Sequence, residues 1–180
     1  MIPRSSLPCV LACLVVLVAA GPSGAQTTAS PVGRPLQDEV ADRMAIEQLT
    51  IEYSYLLDHG RANELPALFT ADGVLDNPNI GLRAVGRQAI ADYYGKRAAD
   101  QRTTRHVSTN LHIMFQTPDR ATGIRLITYY RGDGTGPIFP AKPGSVGEYE
   151  EIYVRGADKK WRFAYRKNIP IFSGSLSSEK

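Results

Sequence analysis

The fold of this chain is decided by residues 38–60, which read DEVADRMAIEQLTIEYSYLLDHG. Apolar side chains recur in this stretch at the spacing of one helix face, at Ile46, Leu49, Tyr53, Leu56 and Leu57. Asp38 can cap the first turn, and Gly60 can end the helix in the left-handed conformation. The stretch therefore predicts one long amphipathic helix near the start of the domain.

Beyond this helix, two shorter helices are predicted over residues 64–69 and 86–99, with a brief strand over residues 73–76 between them. After Gln101 the apolar period changes from that of a helix to two, which is typical of strands. Four strands in hairpin succession follow, over residues 105–116, 121–131, 148–155 and 161–168. Helices followed by strands predict an α+β fold and argue against a parallel Rossmann-type sheet.

The first 25 residues have the pattern of a secretory signal. A basic start at Arg4 precedes an almost wholly apolar run over residues 10–20, and small residues stand before Gln26, where cleavage is expected. The alternative is an uncleaved membrane anchor, although the run is near the lower limit for a span. Cys9 and Cys13 lie in this segment, so the mature chain would carry no cysteine. The protein is expected to be secreted or periplasmic, without a stable membrane anchor after cleavage.

Composition, length and charge limit the domain organisation and the partners expected for the rest of the chain. Residues 26–36 are rich in Thr, Ser, Pro and Gly and predict a disordered tether, residues 37–172 a single domain, and residues 173–180 a flexible tail. The 21 basic and 18 acidic residues are dispersed and give a net charge of +3, so nucleic acid is not an expected partner. His106 and His112 would lie about 20 Å apart on one strand, which is too far to share a metal ion.

Three stretches together resemble a known family. They are YSYLLDHGRANELPALFTADGVLDNPNIGLRAVGRQAIADYYGKR at residues 53–97, TRHVSTNLHI at 104–113 and WRFAYRKNIP at 161–170. The chain resembles the SnoaL-like branch of the nuclear transport factor 2 superfamily. The resemblance implies a cone-shaped, curved antiparallel sheet wrapped around the long N-terminal helix and two shorter helices, with one deep pocket. It also implies a homodimer formed through the sheet, with Tyr129, Tyr130, Tyr149 and Tyr153 offered as interface aromatics.

Asp58 and His106 are the first candidates for chemistry. Asp58 ends the long helix at the edge of its apolar stripe, where partial desolvation would raise its pKa and suit a general acid or base. The alternative is that it only hydrogen-bonds the following turn. Alternation along the strand places His106 on one face with Ser108, Asn110 and His112, a face that either lines a pocket or meets solvent. The resemblance implies that Asp58 and His106 pair in the pocket, as in scytalone dehydratase.

Four further positions are interpreted through the same relatives. Arg125 stands where scytalone dehydratase has a second histidine; it cannot shuttle a proton, but it could hold Asp58 ionised or bind an anionic oxygen. Tyr53 matches the oxyanion tyrosine of ketosteroid isomerase, whose catalytic aspartate is replaced by Asn77, with Asp76 one residue out of register. Candidates to line the ligand pocket are Tyr55, Asn110 and Tyr149.

The resemblance gives the fold more firmly than the reaction, because the superfamily includes dehydratases, cyclases, isomerases and non-catalytic binders. The leading interpretation is an exported, cofactor-independent lyase or isomerase that uses acid/base chemistry on a small cyclic carbonyl or hydroxyl compound. One alternative is a non-catalytic binding protein for a small hydrophobic ligand. Another is a structural module that uses the sheet surface to bind a partner.

Overall fold

The computed structural model describes residues 33–98, 102–139 and 142–173. The predicted signal over residues 1–25 and the tether as far as residue 32 lie outside the described residues, as do residues 174–180 of the predicted tail. Within the described ranges, the helices are too short or too polar to cross a membrane.

The long helix α1 spans Leu36–Asp58, so it begins two residues before the predicted cap at Asp38. Pro35 precedes it, and the Asp38 N–H bonds to the Pro35 carbonyl, which places Asp38 inside the first turn instead of at the cap. At the other end the His59 N–H donates to the Tyr55 carbonyl. Gly60 follows with φ +75°, a left-handed conformation that favours glycine, as the sequence predicts. Asp58 is therefore the last helical residue.

The remaining helical segments are short. A 3₁₀ helix at Ala62–Leu68 occupies the predicted second helix, and a single 3₁₀ turn at Pro78–Ile80 was not predicted. Helix α2 spans Arg87–Ala98 and agrees with the predicted third helix to within one residue at each end.

Six strands form one curved sheet, so the α+β class and the cone-like architecture are confirmed. The strands are β1 Phe69–Asn77, β2 Leu82–Val85, β3 Arg102–Thr117, β4 Arg120–Asp133, β5 Pro143–Arg155 and β6 Trp161–Ser173. Their order across the sheet is β2-β1-β6-β5-β4-β3, and β3 to β6 pair antiparallel in succession, as predicted. The sheet is mixed and not wholly antiparallel, because β1 runs parallel to β6.

The core lies between the inner face of this sheet and the helices. Side chains with no exposure fill it: Ile46, Leu65, Phe69, Ile90, Tyr153 and Phe163. At the start of α1, Asp42 accepts a hydrogen bond of 2.7 Å from the Trp161 indole N–H and one of 3.0 Å from Arg155 Nη1. These contacts fix α1 against β5 and β6, and thereby the position of its far end at Asp58.

One irregularity in β3 changes which side chains face inward. Asn110 has φ +55°, and the pairing with β4 shifts register between Thr109 and His112. Before the bulge, His106 and Ser108 face inward; after it, Ile113 does, and His112 is exposed. The predicted single face carrying His106, Ser108, Asn110 and His112 is therefore wrong beyond Ser108.

Candidate active site

The end of α1 brings Asp58 against the start of β3. The Asp58 carboxylate accepts three hydrogen bonds: from His106 Nδ1 at 2.6 Å, from the His106 backbone N–H at 2.7 Å and from the Thr104 hydroxyl at 2.9 Å. The two side chains of the pair are only 6% and 7% exposed. Because an ionised carboxylate only accepts hydrogen bonds, Nδ1 carries the proton in this contact and Nε2 is free to accept one. The structure thus brings the two leading candidates into direct contact.

The electrostatics of Asp58 differ from the sequence expectation. Burial raises the pKa of its carboxyl group, but the hydrogen bonds and the charge of His106, with the Thr104 hydroxyl, outweigh it, and the net pKa is lowered. The expectation of a raised pKa was wrong because it counted desolvation without these donors. Asp58 is therefore a carboxylate near neutral pH, suited to orienting His106 and to stabilising its protonated form.

A cavity of about 210 Å³ opens between the inner face of the sheet and the helices. His106 lines it and Asp58 does not, so the imidazole is the member of the pair that can meet a ligand. Five tyrosines line the walls, at positions 53, 93, 94, 129 and 149. Apolar side chains complete them: Leu57, Leu75, Ile80, Leu82 and Ile127. The Tyr129 ring packs on His106, with centroids 4.9 Å apart.

Tyr53 lines this cavity, but not as a free oxyanion donor. Its hydroxyl is in a short hydrogen bond with the Tyr94 hydroxyl, and burial raises the pKa of both groups. Both tyrosines therefore stay neutral and can donate only one proton beyond their mutual bond. Asn77 and Asp76 also line the cavity, and the Asp76 carboxylate is bound by Arg83 at 2.7 Å and by a tyrosine hydroxyl.

The prediction that Arg125 acts on Asp58 is wrong. Arg125 is fully enclosed; its Nε lies 3.4 Å from a Glu151 carboxylate oxygen, and its Nη1 donates to the Thr50 carbonyl at 3.4 Å. It does not line this cavity; it borders, with Asp58 and His106, a second cleft between α1 and β3. Arg125 points inward from β4 toward the middle of α1, where it pairs with Glu151 of the neighbouring strand β5 instead of binding Asp58 at the helix end.

One of the arginines that line the cavity is Arg166 on β6, which sequence reasoning missed. Its guanidinium is paired with Glu151 and lies between two rings, 3.6 Å from the Tyr53 centroid and 3.9 Å from that of Tyr149. The pairing of β5 with β6 shifts between Ile152 and Tyr153, so a strict alternation from Trp161 would have assigned Arg166 to the outer face. The bulge removed the periodic signal that would have identified it.

The three predicted pocket residues separate into two groups. Tyr149, 7% exposed, lines the main cavity. Tyr55 and Asn110 instead line an outer cleft of about 360 Å³ between α1 and β3, where the Tyr55 ring stacks on His59 with centroids 4.2 Å apart. His106 borders both spaces and separates the cleft from the cavity. The assignment of Tyr55 and Asn110 to the ligand pocket was therefore wrong for the main cavity.

Among the described residues, no group of three or more His, Cys, Asp or Glu side chains is arranged to hold a metal ion. Two of the tyrosines proposed for an interface, Tyr149 and Tyr153, are buried inside the protomer. That part of the interface prediction was wrong, because both side chains point to the inner face of β5.

Comparison with known proteins agrees with this architecture. A family model described as the SnoaL-like domain matches residues 38–167, most of the chain. The chain belongs to the SnoaL-like domain family. No curated protein sequence matches it.

Solved structures similar to this SnoaL-like chain include enzymes. A candidate scytalone dehydratase from Novosphingobium aromaticivorans DSM 12444 is 25% identical, with a TM-score of 0.66 over 77% of this chain and 89% of that one. A type 2 hexachlorocyclohexane dehydrochlorinase is 20% identical, with a TM-score of 0.66 over 79% and 93%. A Catenulispora acidiphila protein in complex with S-DNPA is 23% identical, with a TM-score of 0.59 over 72% and 94%.

Proposed function

We propose that this SnoaL-like protein is a cofactor-independent lyase or isomerase in which His106 moves a proton and Asp58 holds it in position. The observation that carries the proposal is the 2.6 Å contact between His106 Nδ1 and the Asp58 carboxylate, made by a histidine that lines the cavity. The contact fixes the tautomer of the imidazole, so Nε2 is the basic atom available to a ligand.

The chemistry follows from this arrangement. Nε2 removes a proton from a carbon next to a carbonyl, and the electron pair of that C–H bond moves onto the carbonyl oxygen to give an enolate. In a lyase, the enolate expels a hydroxyl from the β carbon, which leaves as water with the proton returned by the imidazolium. In an isomerase, the same proton returns to a different carbon. Asp58 stabilises the imidazolium in both cases, as a carboxylate does for a catalytic histidine.

The developing oxyanion would be stabilised by donors on the opposite walls. Tyr53 and Tyr94 present neutral hydroxyls in the cavity, and Arg166 supplies a positive charge beside Tyr53. Arg166 takes the place in the mechanism that the sequence had assigned to Arg125. The aromatic and aliphatic walls favour a small cyclic substrate, and the 25% identity to a candidate scytalone dehydratase supports a lyase of this general type.

The test uses a panel of cyclic β-hydroxy ketones and cyclic β,γ-enones. Both dehydration and double-bond migration yield a conjugated enone, whose ultraviolet absorbance reports turnover. We expect one class to react, and His106→Ala to lower kcat by about 10² or more. His112→Ala is the matched control, because His112 is exposed on the same strand beyond the bulge and should leave kcat unchanged.

The alternative is a non-catalytic binding protein whose cavity holds a small hydrophobic ligand. If panel compounds bind but none is turned over, and if mass spectrometry finds a molecule that co-purifies unchanged, the binding function replaces the catalytic one. If His106→Ala and His112→Ala lower kcat equally, the role given to His106 is wrong.

We also propose that the protein is exported, because residues 1–25 combine a basic start, an apolar run and small residues before Gln26. N-terminal sequencing of material from the periplasm or medium should begin at or near Gln26. Recovery of the intact N-terminus in a membrane fraction would contradict export.

A homodimer is proposed as the working form. Apolar side chains on the outer face of β3 and β4 are exposed: Val107, Met114, Ile124 and Leu126. A second copy of the sheet could cover them. Sedimentation at micromolar concentration should give twice the mass of the mature chain, and a monomer would reject the proposal.

A further inference from the structure

The cavity that His106 lines is strongly asymmetric in charge. The charged side chains other than His106 that line it, among the described residues, are four arginines and one carboxylate: Arg97, Arg102, Arg131, Arg166 and Asp76. The carboxylate of Asp76 is already bound by Arg83 at 2.7 Å. A positive potential therefore extends over a site whose other walls are aromatic and aliphatic.

Three of these arginines lie at the termini of three elements: at the end of α2, at the start of β3 and near the end of β4. Arg97 lies in the last turn of α2, and Arg102 is the first residue of β3. Arg131, near the end of β4, pairs across the ladder with Thr104, the buried donor to Asp58, so its side chain belongs to the inner face. We call this set of Arg97, Arg102 and Arg131 the arginine cluster.

The positive charges of the arginine cluster repel one another. Burial lowers the pKa of Arg102, and the nearby charges of Arg97 and Arg131 lower it further. The same three charges act on Tyr129, opposing the rise in its pKa that burial causes, and Tyr129 packs on the His106 ring. The positive field of the cluster therefore reaches the neighbourhood of the proposed base.

Of the three, Arg131 can be shown to be accessible to a ligand. Its carboxylate contact is with Asp133 at 3.6 Å, and the Asp133 side chain is 89% exposed, so this pair is weak and readily exchanged. A guanidinium also carries five N–H donors in a planar fork, so an arginine that makes one contact keeps donors for another. One such fork matches the geometry of a carboxylate.

We propose that the substrate carries an acidic group, a carboxylate or a similar anion, that is held by the arginine cluster at one end of the cavity. Its ring and carbonyl or hydroxyl then lie among the tyrosines, with the reacting carbon at His106. The inference rests on the proposed function for the identity of the reacting end. It adds that the substrate is a small cyclic organic acid and not a neutral compound.

The test compares binding of acids with that of their neutral isosteres and needs no turnover. Benzoate and benzamide form one pair, 2-naphthoate and 2-naphthamide the other, titrated by calorimetry into the purified protein at low salt. We expect at least one acid to bind about tenfold or more tightly than its amide. The preference should shrink as NaCl rises, because salt screens exposed charges.

Variants test whether the arginine cluster causes the preference for acids over amides. Arg131→Gln and Arg102→Gln should each weaken acid binding several-fold and leave amide binding unchanged. Arg120→Gln removes the same charge from an exposed position at the opposite end of β4 and should change neither. His106→Ala should keep the preference for the acid, which separates this inference from the test of catalysis.

Three results would overturn the inference. One is equal or weaker binding of both acids relative to their amides; another is the absence of acid binding up to millimolar concentration. The third is an equal loss of acid binding in Arg120→Gln and Arg131→Gln, which would reduce the effect to net charge. None of these results would contradict turnover that depends on His106.

Discussion

This molecule contains two neighbouring buried ionic clusters, which differ in their contacts and in their access to open space. The first joins Asp58 at the end of α1 to His106 on β3, and every oxygen of its carboxylate is hydrogen-bonded. The second joins Arg125, Glu151 and Arg166 across β4, β5 and β6, and these side chains are at most 2% exposed. The first borders open space through His106, whereas the second lies almost wholly within the core.

The second cluster has more donors than acceptors. Two guanidiniums share the carboxylate of Glu151, which also accepts a short hydrogen bond from the Tyr153 hydroxyl. The Nε and Nη2 atoms of both Arg125 and Arg166 make no hydrogen bond with the described residues. The comparison indicates that the first cluster holds a proton at a defined nitrogen of His106. The second cluster joins three strands around one carboxylate and leaves positive charge beside the cavity.

The largest effect on stability is expected at Glu151. In Glu151→Gln the buried guanidiniums lose their only shared carboxylate, which should lower the free energy of unfolding by about 3–5 kcal/mol. Denaturant titration measures it. Glu150→Gln is the control, because Glu150 is half exposed and its nearest cation, Lys167, is 3.6 Å away, so we expect a change of at most about 1 kcal/mol. Equal effects would mean that the buried cluster does not support the fold.

A smaller effect on stability is expected at His106. His106→Ala removes the hydrogen bond from Nδ1, but the Thr104 hydroxyl and the backbone N–H of residue 106 still bind Asp58. The free energy of unfolding should fall by about 1–3 kcal/mol, as for one hydrogen bond to a charged group. A loss as large as that of Glu151→Gln would show that the first cluster is also mainly structural.

The smallest expected effect is a dependence of the free energy of unfolding on pH in the acid range. The pKa of Asp58 is lower in the folded chain than its ordinary value of about 3.9, so its ionised form stabilises the fold above that value. This contribution is lost as the pH falls through the folded pKa. The stability difference between the natural chain and Asp58→Asn should shrink as the pH falls below about 4. Denaturant titrations at pH 6 and pH 3 test it, and a difference that grows in acid would contradict it.

The two clusters also differ in how far the sequence could predict them. Asp58 and His106 lie on regular stretches, one at the end of a periodic helix and one before any irregularity in its strand, so pattern and family resemblance located both. Arg166 lies after the register shift in β6, and Asn110 forms the bulge in β3. A bulge exchanges the two faces of a strand, so the alternation of inward and outward side chains cannot be extended across it.

The fold shows the same division. The order of helices and strands, the long helix and the hairpin succession follow from periodicity, which is a local property. The four-residue strand β2 and the parallel pairing of β1 with β6 depend on contacts between distant segments, and the short turn-rich sequence around them carries no periodic signal. The pKa of Asp58 was predicted in the wrong direction because the donors that surround it come from another element.

The central claim is that Asp58 and His106 act as one unit, and a double-mutant cycle in kcat/KM tests it most directly. For the substrate that the ketone and enone panel identifies, kcat/KM is measured for the natural chain, for Asp58→Asn, for His106→Ala and for the double variant. If Asp58 acts only through His106, the double variant should lose little beyond the worse single change, because effects within one unit are strongly non-additive. Losses that multiply, as those of independent sites do, would contradict the claim.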